Sequence, residues 1–201
     1  MRQERKHMVA LAGKAGSGKN TLAAELVNKY GFTEIAFADA IRDAAIALNP
    51  LVPIDMGHNG ELITSTMRLA TLVNSVGWET AKREVAEVRD ILQRLGTEVG
   101  RQLIDPSVWI TIAMNRANDI DGHVVFTDCR FPNEVEAVRS RGGLLVRVHR
   151  SGVDSVNDHV SESAIDDIPA DLTVLNIGAK SDLADHARTI FLTLQLKELH
   201  S

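Results

Sequence analysis

Five apolar residues, Met8 to Ala12, lead directly into Gly13-Lys14-Ala15-Gly16-Ser17-Gly18-Lys19-Asn20-Thr21, and this junction restricts the possible fold more than any other stretch. The apolar run reads as a buried strand. After the loop, Leu22, Ala23, Leu26 and Val27 fall on one face of a helix. Strand, GxxxxGK and helix in that order is the context in which such a loop cradles phosphate. Its glycines let backbone N–H groups turn inward, and the helix start brings the positive end of its dipole to the same point. Lys19 is placed to reach the β- and γ-phosphates of ATP, with Gly13, Ala15, Gly16, Ser17, Gly18, Asn20 and Thr21 around them. An ordinary strand-to-helix turn leaves Lys19 and the clustered small residues unexplained. Asn20 stands where a Ser or Thr hydroxyl usually meets Mg²⁺, so contact with the metal is expected from Thr21, through water.

The bulk properties remove several classes. A length of 201 residues fits one domain with a sizeable core, and a net charge of −5 without a basic run argues against binding a nucleic acid polymer. The single cysteine, Cys129, forms no intramolecular disulfide, and the seven histidines are scattered without zinc spacing. Arg2, Arg5 and Lys6 before Met8–Ala12 imitate a signal peptide, but the apolar run is too short and enters the phosphate loop. No segment approaches the roughly 20 apolar residues needed to span a bilayer. A cytoplasmic protein without membrane association is expected.

Along the chain, Thr33–Ala38 reads as a second strand, and Asp39 as the cap of a helix that Pro50 stops. Residues 50–66 read as a surface excursion. Helical patterns follow near 68–76, 87–103 and 107–118. From residue 123 the pattern changes to short strands (His123–Thr127, Leu144–His149, Leu172–Leu175) alternating with helices (Asn133–Arg141, Ser181–Leu199). This alternation predicts an α/β fold of three layers, with a five-stranded, mostly parallel sheet. Residues 38–118 are too many for a simple crossover and predict an inserted helical substrate-binding region. Residues 150–169 read as a short lid-like segment.

Three further strings carry chemistry. In Asp128-Cys129-Arg130-Phe131-Pro132-Asn133-Glu134, an acid at a strand end beside a phosphate loop is placed to hold Mg²⁺, directly or through water, and Arg130 to clamp a phosphate. The plainer alternative has Asp128 capping a turn and Arg130 paired with Glu134. In the helix around 92–101, Gln93, Thr97 and Gly100 share one α-helical face, and Arg94, Glu98 and Arg101 a neighbouring one. Gly96 and Gly100 each cost about 1 kcal/mol there against Ala, so something approaches the helix closely, either another backbone or a ligand. Here a polar strip reading a nucleotide competes with a solvated Arg–Glu–Arg ladder beside a tight crossing. In Phe37–Arg42, Asp39 and Arg42 sit near the cleft for an anionic acceptor, or serve only as a cap and a surface arginine. Trp78 and Trp109 could stack on a base, but read better as core residues.

Taken in order, GKAGSGKNT, FADAIRDA, LQRLGTEVGR followed by Trp109, TDCRFPNE and HVSE resemble the bacteriophage deoxynucleoside monophosphate kinase family of the P-loop kinases. The resemblance spans residues 9 to about 162. It implies phosphoryl transfer from ATP to a deoxynucleoside monophosphate (dNMP), in a P-loop kinase-type fold. It also implies that Gly13–Thr21 bind ATP. Lys19, Arg101, Asp128 and Arg130 then serve the transfer. By the resemblance Arg42, Arg94, Arg101 and Arg130 are candidates for the acceptor phosphate, and the residue reading adds Asp39, Gln93, Thr97 and Glu134 at the acceptor. Thr21 and Asp128 serve Mg²⁺. The rivals are another small-molecule kinase of the same superfamily (dephospho-CoA kinase-like or adenylate-kinase-like), a nucleotide-binding regulatory protein, and a nucleic-acid end kinase. Apolar faces within 66–118 allow a homodimer, and a monomer fits as well.

Overall fold

Burial of apolar side chains at strand and helix periods builds each half of the chain. The computed structural model describes residues 6–58, 61–150, 167–178 and 180–199. In chain order the elements are β1 (Met8–Ala12), α1 (Lys19–Tyr30), β2 (Phe32–Ile35), α2 (Asp39–Leu48), β3 (Leu51–His58), β4 (Glu61–Arg68), α3 (Leu69–Glu84) and α4 (Ala86–Gln93). A π-helical segment (Arg94–Ile104) follows, then α5 (Val108–Asp119), β5 (His123–Phe126), α6 (Pro132–Arg139), β6 (Leu144–Arg150), β7 (Leu172–Asn176) and α7 (Lys180–Leu199). The chain divides into two compact units, Met1–Phe37 with Ile112–Ser201, and Ala38–Thr111.

The first unit is a three-layer α/β structure around a five-stranded sheet of order β2-β5-β1-β6-β7. Every pairing is parallel. β1 is central and buried along its whole length, which is why it reads as a continuous apolar run rather than an alternation. Val9 and Leu11 of β1 share a face with Val125, Val146, Val148 and Val174, and that face packs against Leu22 and Leu26 of α1 and Leu183, Ala187, Ile190 and Leu194 of α7. The spacing is two along the strand and three to four along the helices, as each period requires. α6 covers the other face through the buried Val135 and Val138. Chain order places the phosphate loop at the carboxyl end of β1, between strands reached from opposite directions, where open α/β sheets bind ligands.

The second unit packs Ala45, Val52, Leu69, Leu72, Ala81 and Val88 into its own core. It departs from the sequence reading in three places. Residues expected as a surface excursion form the antiparallel hairpin β3–β4, paired from Leu51↔Arg68 to His58↔Glu61, so the region is not wholly helical. Pro53 fits there because both strands of a two-stranded ribbon are edges, and a missing N–H can face outward. The long helix expected over 87–103 stops being α-helical at Arg94. Asp105 N donates to Gly100 O, five residues back, at 2.9 Å. Wider turns change which residues share a face, so the α-helical faces assigned to Gln93–Arg101 do not hold. Asp39 is the first residue of α2 rather than its cap: the N-cap is Ala38, without a side-chain cap bond.

Among the described residues no helix is long and apolar enough to cross a membrane. The expected lid-like segment and the HVSE string lie largely or wholly in 151–166, outside the described residues.

Candidate active site

The phosphate loop has the backbone that an anion cradle needs. Gly13, Gly16 and Gly18 have φ of 141°, 77° and 107°, a region other residues rarely enter. Gly18 is the N-cap of α1 and provides no side chain to close it, so the leading N–H groups of that helix are left for an incoming anion. Ser17 is 2% exposed, and its Oγ has no hydrogen-bond partner among the described residues. A buried hydroxyl in that state costs about 1–3 kcal/mol. A phosphate oxygen in the loop would relieve the deficit, so these residues fit a nucleotide phosphate. Lys19 Nζ folds back onto the loop, donating to Gly13 O and, at 2.9 Å, to Lys14 O. Ala15, Gly16 and Asn20 are exposed along the same turn, and Thr21 is half-buried in the first turn of α1.

One contact at this loop was not legible in the sequence. Asn176, the last residue of β7 and 8% exposed, donates from Nδ2 to Ser17 O at 2.9 Å. Its only advance signal was a polar residue ending an apolar strand.

The chain beyond β5 runs beside the end of β1, where Cys129 N donates to Leu11 O at 3.2 Å. This brings Asp128 and Arg130 to the start of the loop. Asp128 is half-buried, and its Oδ1 accepts from Phe37 N at 2.7 Å. Arg130 is exposed. Glu134 was expected at the substrate, yet it is 2% exposed and its Oε2 accepts from Arg130 N at 2.7 Å and Phe131 N at 3.1 Å. A glutamate in the third position of a helix reaches back in this way to the amide before the helix. Glu134 therefore shapes the turn that carries Arg130. The thiol of Cys129, 3% exposed between them, is pushed well above its usual range by burial, then by the Glu134 and Asp128 carboxylates.

Among the described residues no group of three or more His, Cys, Asp or Glu side chains is arranged for a metal. The Thr21 hydroxyl and the Asp128 carboxylate are oxygen donors of the kind Mg²⁺ takes, an ion that commonly keeps most of its ligands as water and phosphate oxygens.

The remaining expected residues belong to the second unit. Arg42 is held by Asp39 Oδ1 at 3.2 Å and lies 3.8 Å from Glu79 Oε1, which Lys82 also contacts at 2.6 Å. Gln93, Arg94 and Thr97 are exposed on α4 and the π-helical segment. Arg101 is half-buried, and its Nη1 donates to Gly96 O at 3.0 Å. The same carbonyl accepts from Trp109 Nε1 at 2.9 Å. A Cβ on Gly100 would lie 2.3–2.5 Å from indole atoms of Trp109. At Gly100 the close approach is thus made by the Trp109 side chain, and at Gly96 by Ile41, whose Cδ1 lies 3.1 Å from where a Cβ would stand.

Comparison with known proteins places these features in a family. Residues 55–186 match the family model for deoxynucleotide monophosphate kinase. The deoxynucleotide monophosphate kinase of Escherichia phage RB69 is 34% identical over 101 residues, which cover 48% of this chain and 41% of that protein. A putative deoxynucleotide monophosphate kinase of Acanthamoeba polyphaga mimivirus is 27% identical over 184 residues, covering 84% and 88%. The deoxynucleoside-5'-monophosphate kinase of Escherichia phage T5 is 40% identical over 85 residues, covering 38% and 34%. The match spans less than half the length of each phage protein and most of the mimiviral one. The family match takes in Arg94–Arg101, Trp109 and the Asp128–Glu134 turn, and a phosphate cradle of the required backbone precedes it. The chain belongs to the deoxynucleotide monophosphate kinase family.

Proposed function

We propose that this protein transfers the γ-phosphoryl group of ATP to a deoxynucleoside monophosphate, giving the diphosphate and ADP. The observation that carries the reading is the glycine cradle at the end of β1, with the Lys19 amine and a buried Ser17 Oγ that has no hydrogen-bond partner among the described residues, in a chain of this family. The loop amides and the start of α1 bind the ATP phosphates, and Lys19 exchanges its loop carbonyls for phosphate oxygens. When bound, Mg²⁺ neutralises charge on those oxygens, with Thr21 and Asp128 as the groups of this chain that hold it. A monophosphate acceptor is already ionised near neutral pH, so no residue has to remove a proton from it. The chain's work is placement and cationic stabilisation of the charge that develops.

Arg130 and Arg101 supply that stabilisation. Arg42 and Arg94 bind the acceptor phosphate, while Asp39, Gln93 and Thr97 orient the acceptor. Glu134 acts by holding the backbone of Arg130. ATP–Mg²⁺ consumption measured against a panel of deoxy- and ribonucleoside monophosphates, with dephospho-CoA included, tests the proposal. Turnover with one or more deoxynucleotides is expected. ATP binding without turnover of any of them overturns the proposal in favour of a nucleotide-binding regulator.

A further inference from the structure

We infer that Asn176 is a positioning residue for the ATP phosphates, acting through the backbone of the phosphate loop. The inference deepens the kinase reading and rests on it for the identity of the ligand. Three observations meet at this side chain. Its Nδ2 donates to Ser17 O at 2.9 Å, its Oδ1 accepts from Gly178 N at 3.2 Å, and the residue is 8% exposed. Nδ2 also lies 2.4 Å from where a Cβ on Gly18 would stand. The amide therefore occupies the space that the absent side chain of Gly18 leaves, and fixes the Ser17–Gly18 peptide from outside the loop.

That peptide is a sensitive place to hold. Gly18 is the left-handed N-cap of α1, and Lys19 follows it. A rotation at Ser17–Gly18 re-aims the leading N–H groups of α1, the Lys19 side chain and the buried Ser17 hydroxyl together. The loop's own contribution at this point is the bond from Ser17 N to Lys14 O, at 3.2 Å. Asn176 ties the loop to β7, and through Gly178 N to the turn before α7. Because its two polar ends are both engaged in a buried setting, the amide cannot turn over without losing both bonds.

The test uses the full chain, with ATP as the probe. ATP affinity measured by calorimetry without acceptor is expected to weaken roughly tenfold in Asn176→Ala, by loss of a buried hydrogen bond at the binding loop. In the full reaction, KM for ATP rises while KM for the deoxynucleotide stays within about twofold. Unchanged ATP affinity per folded molecule, with only the melting temperature lowered, overturns the inference. Should the variant not fold, the wild-type chain decides. In ¹⁵N spectra the Asn176 side-chain amide is expected to shift on addition of ATP together with the Ser17 and Gly18 amides. A loop that shifts while the Asn176 amide does not overturns the inference. A chain that binds ATP but phosphorylates no deoxynucleotide overturns the kinase reading alone, because the affinity ratio still decides the role of Asn176. A wild-type chain that binds no ATP overturns both.

Discussion

Trp109 donates its indole N–H to the carbonyl of Gly96 at 2.9 Å, and the same oxygen receives the Arg101 guanidinium at 3.0 Å. One carbonyl thus joins a buried aromatic to a cation expected at the acceptor. Trp109→Phe removes the donor together with part of the buried ring, and should cost about 2 kcal/mol or more of stability by urea unfolding and raise KM for the acceptor. Gly100→Ala is the sharper measurement. In an open helix this change stabilises by about 1 kcal/mol. Here the new methyl meets Trp109 at 2.3–2.5 Å, so a loss of about 1–3 kcal/mol is expected instead. A gain in stability would show that the indole does not pack on Gly100.

Lys19 donates to the carbonyls of Gly13 and Lys14 in its own loop, and it is half-buried there. Water can replace the amine at Gly13 O and Lys14 O. Lys19→Ala should therefore melt within a few degrees of wild type, while turnover falls by at least roughly a hundredfold. Near-normal turnover in that variant would remove Lys19 from the mechanism.

Arg130 and Glu134 should separate in the same pair of assays. Arg130 is exposed, so Arg130→Ala is expected to leave stability within about 0.5 kcal/mol, raise KM for the deoxynucleotide and lower turnover. Glu134→Ala strips the acceptor from the amides of Arg130 and Phe131 and should cost about 2 kcal/mol or more. Glu134→Gln keeps an oxygen acceptor and should recover much of that loss. If Arg130→Ala leaves both kinetic constants unchanged, Arg130 belongs to the surface rather than to the acceptor.

The first unit was largely legible from the residues, because its signals are local. β1 is uninterrupted apolar sequence, the loop glycines follow it directly, and Leu183, Ala187, Ile190 and Leu194 keep the stripe that buries them. The second unit was less so. The β3–β4 ribbon contains Pro53 and Gly57, which read as loop residues until a partner strand is known. The π-helical turns over Arg94–Ile104 keep helix-forming composition and change only the ladder, from four residues to five, which no local spacing announces. At the site, residue type singled out Lys19, Asp128 and Arg130 as candidates. It missed Asn176, whose bond to Ser17 crosses 159 positions of sequence. It also gave Glu134 to the substrate, because a carboxylate bound to backbone amides looks the same in sequence as one facing a ligand.

The Cys129 thiol carries the clearest pH dependence. Burial first, then the Glu134 and Asp128 carboxylates, raise its folded-state pKa well above the ordinary 9.0. The protonated thiol is thus favoured by folding. Its contribution to stability is fully present below the unfolded value and is lost as pH rises past it, where the unfolded chain ionises and the folded chain does not. Between about pH 8 and about pH 10, the wild-type melting temperature should fall more steeply than that of Cys129→Ala, whatever constant offset the small cavity adds. The same burial keeps thiol reagents away at neutral pH until the chain unfolds. Parallel melting curves for the two proteins across that range would show that Cys129 ionises as an ordinary thiol in the folded state, and that the turn between Asp128 and Arg130 is open to water.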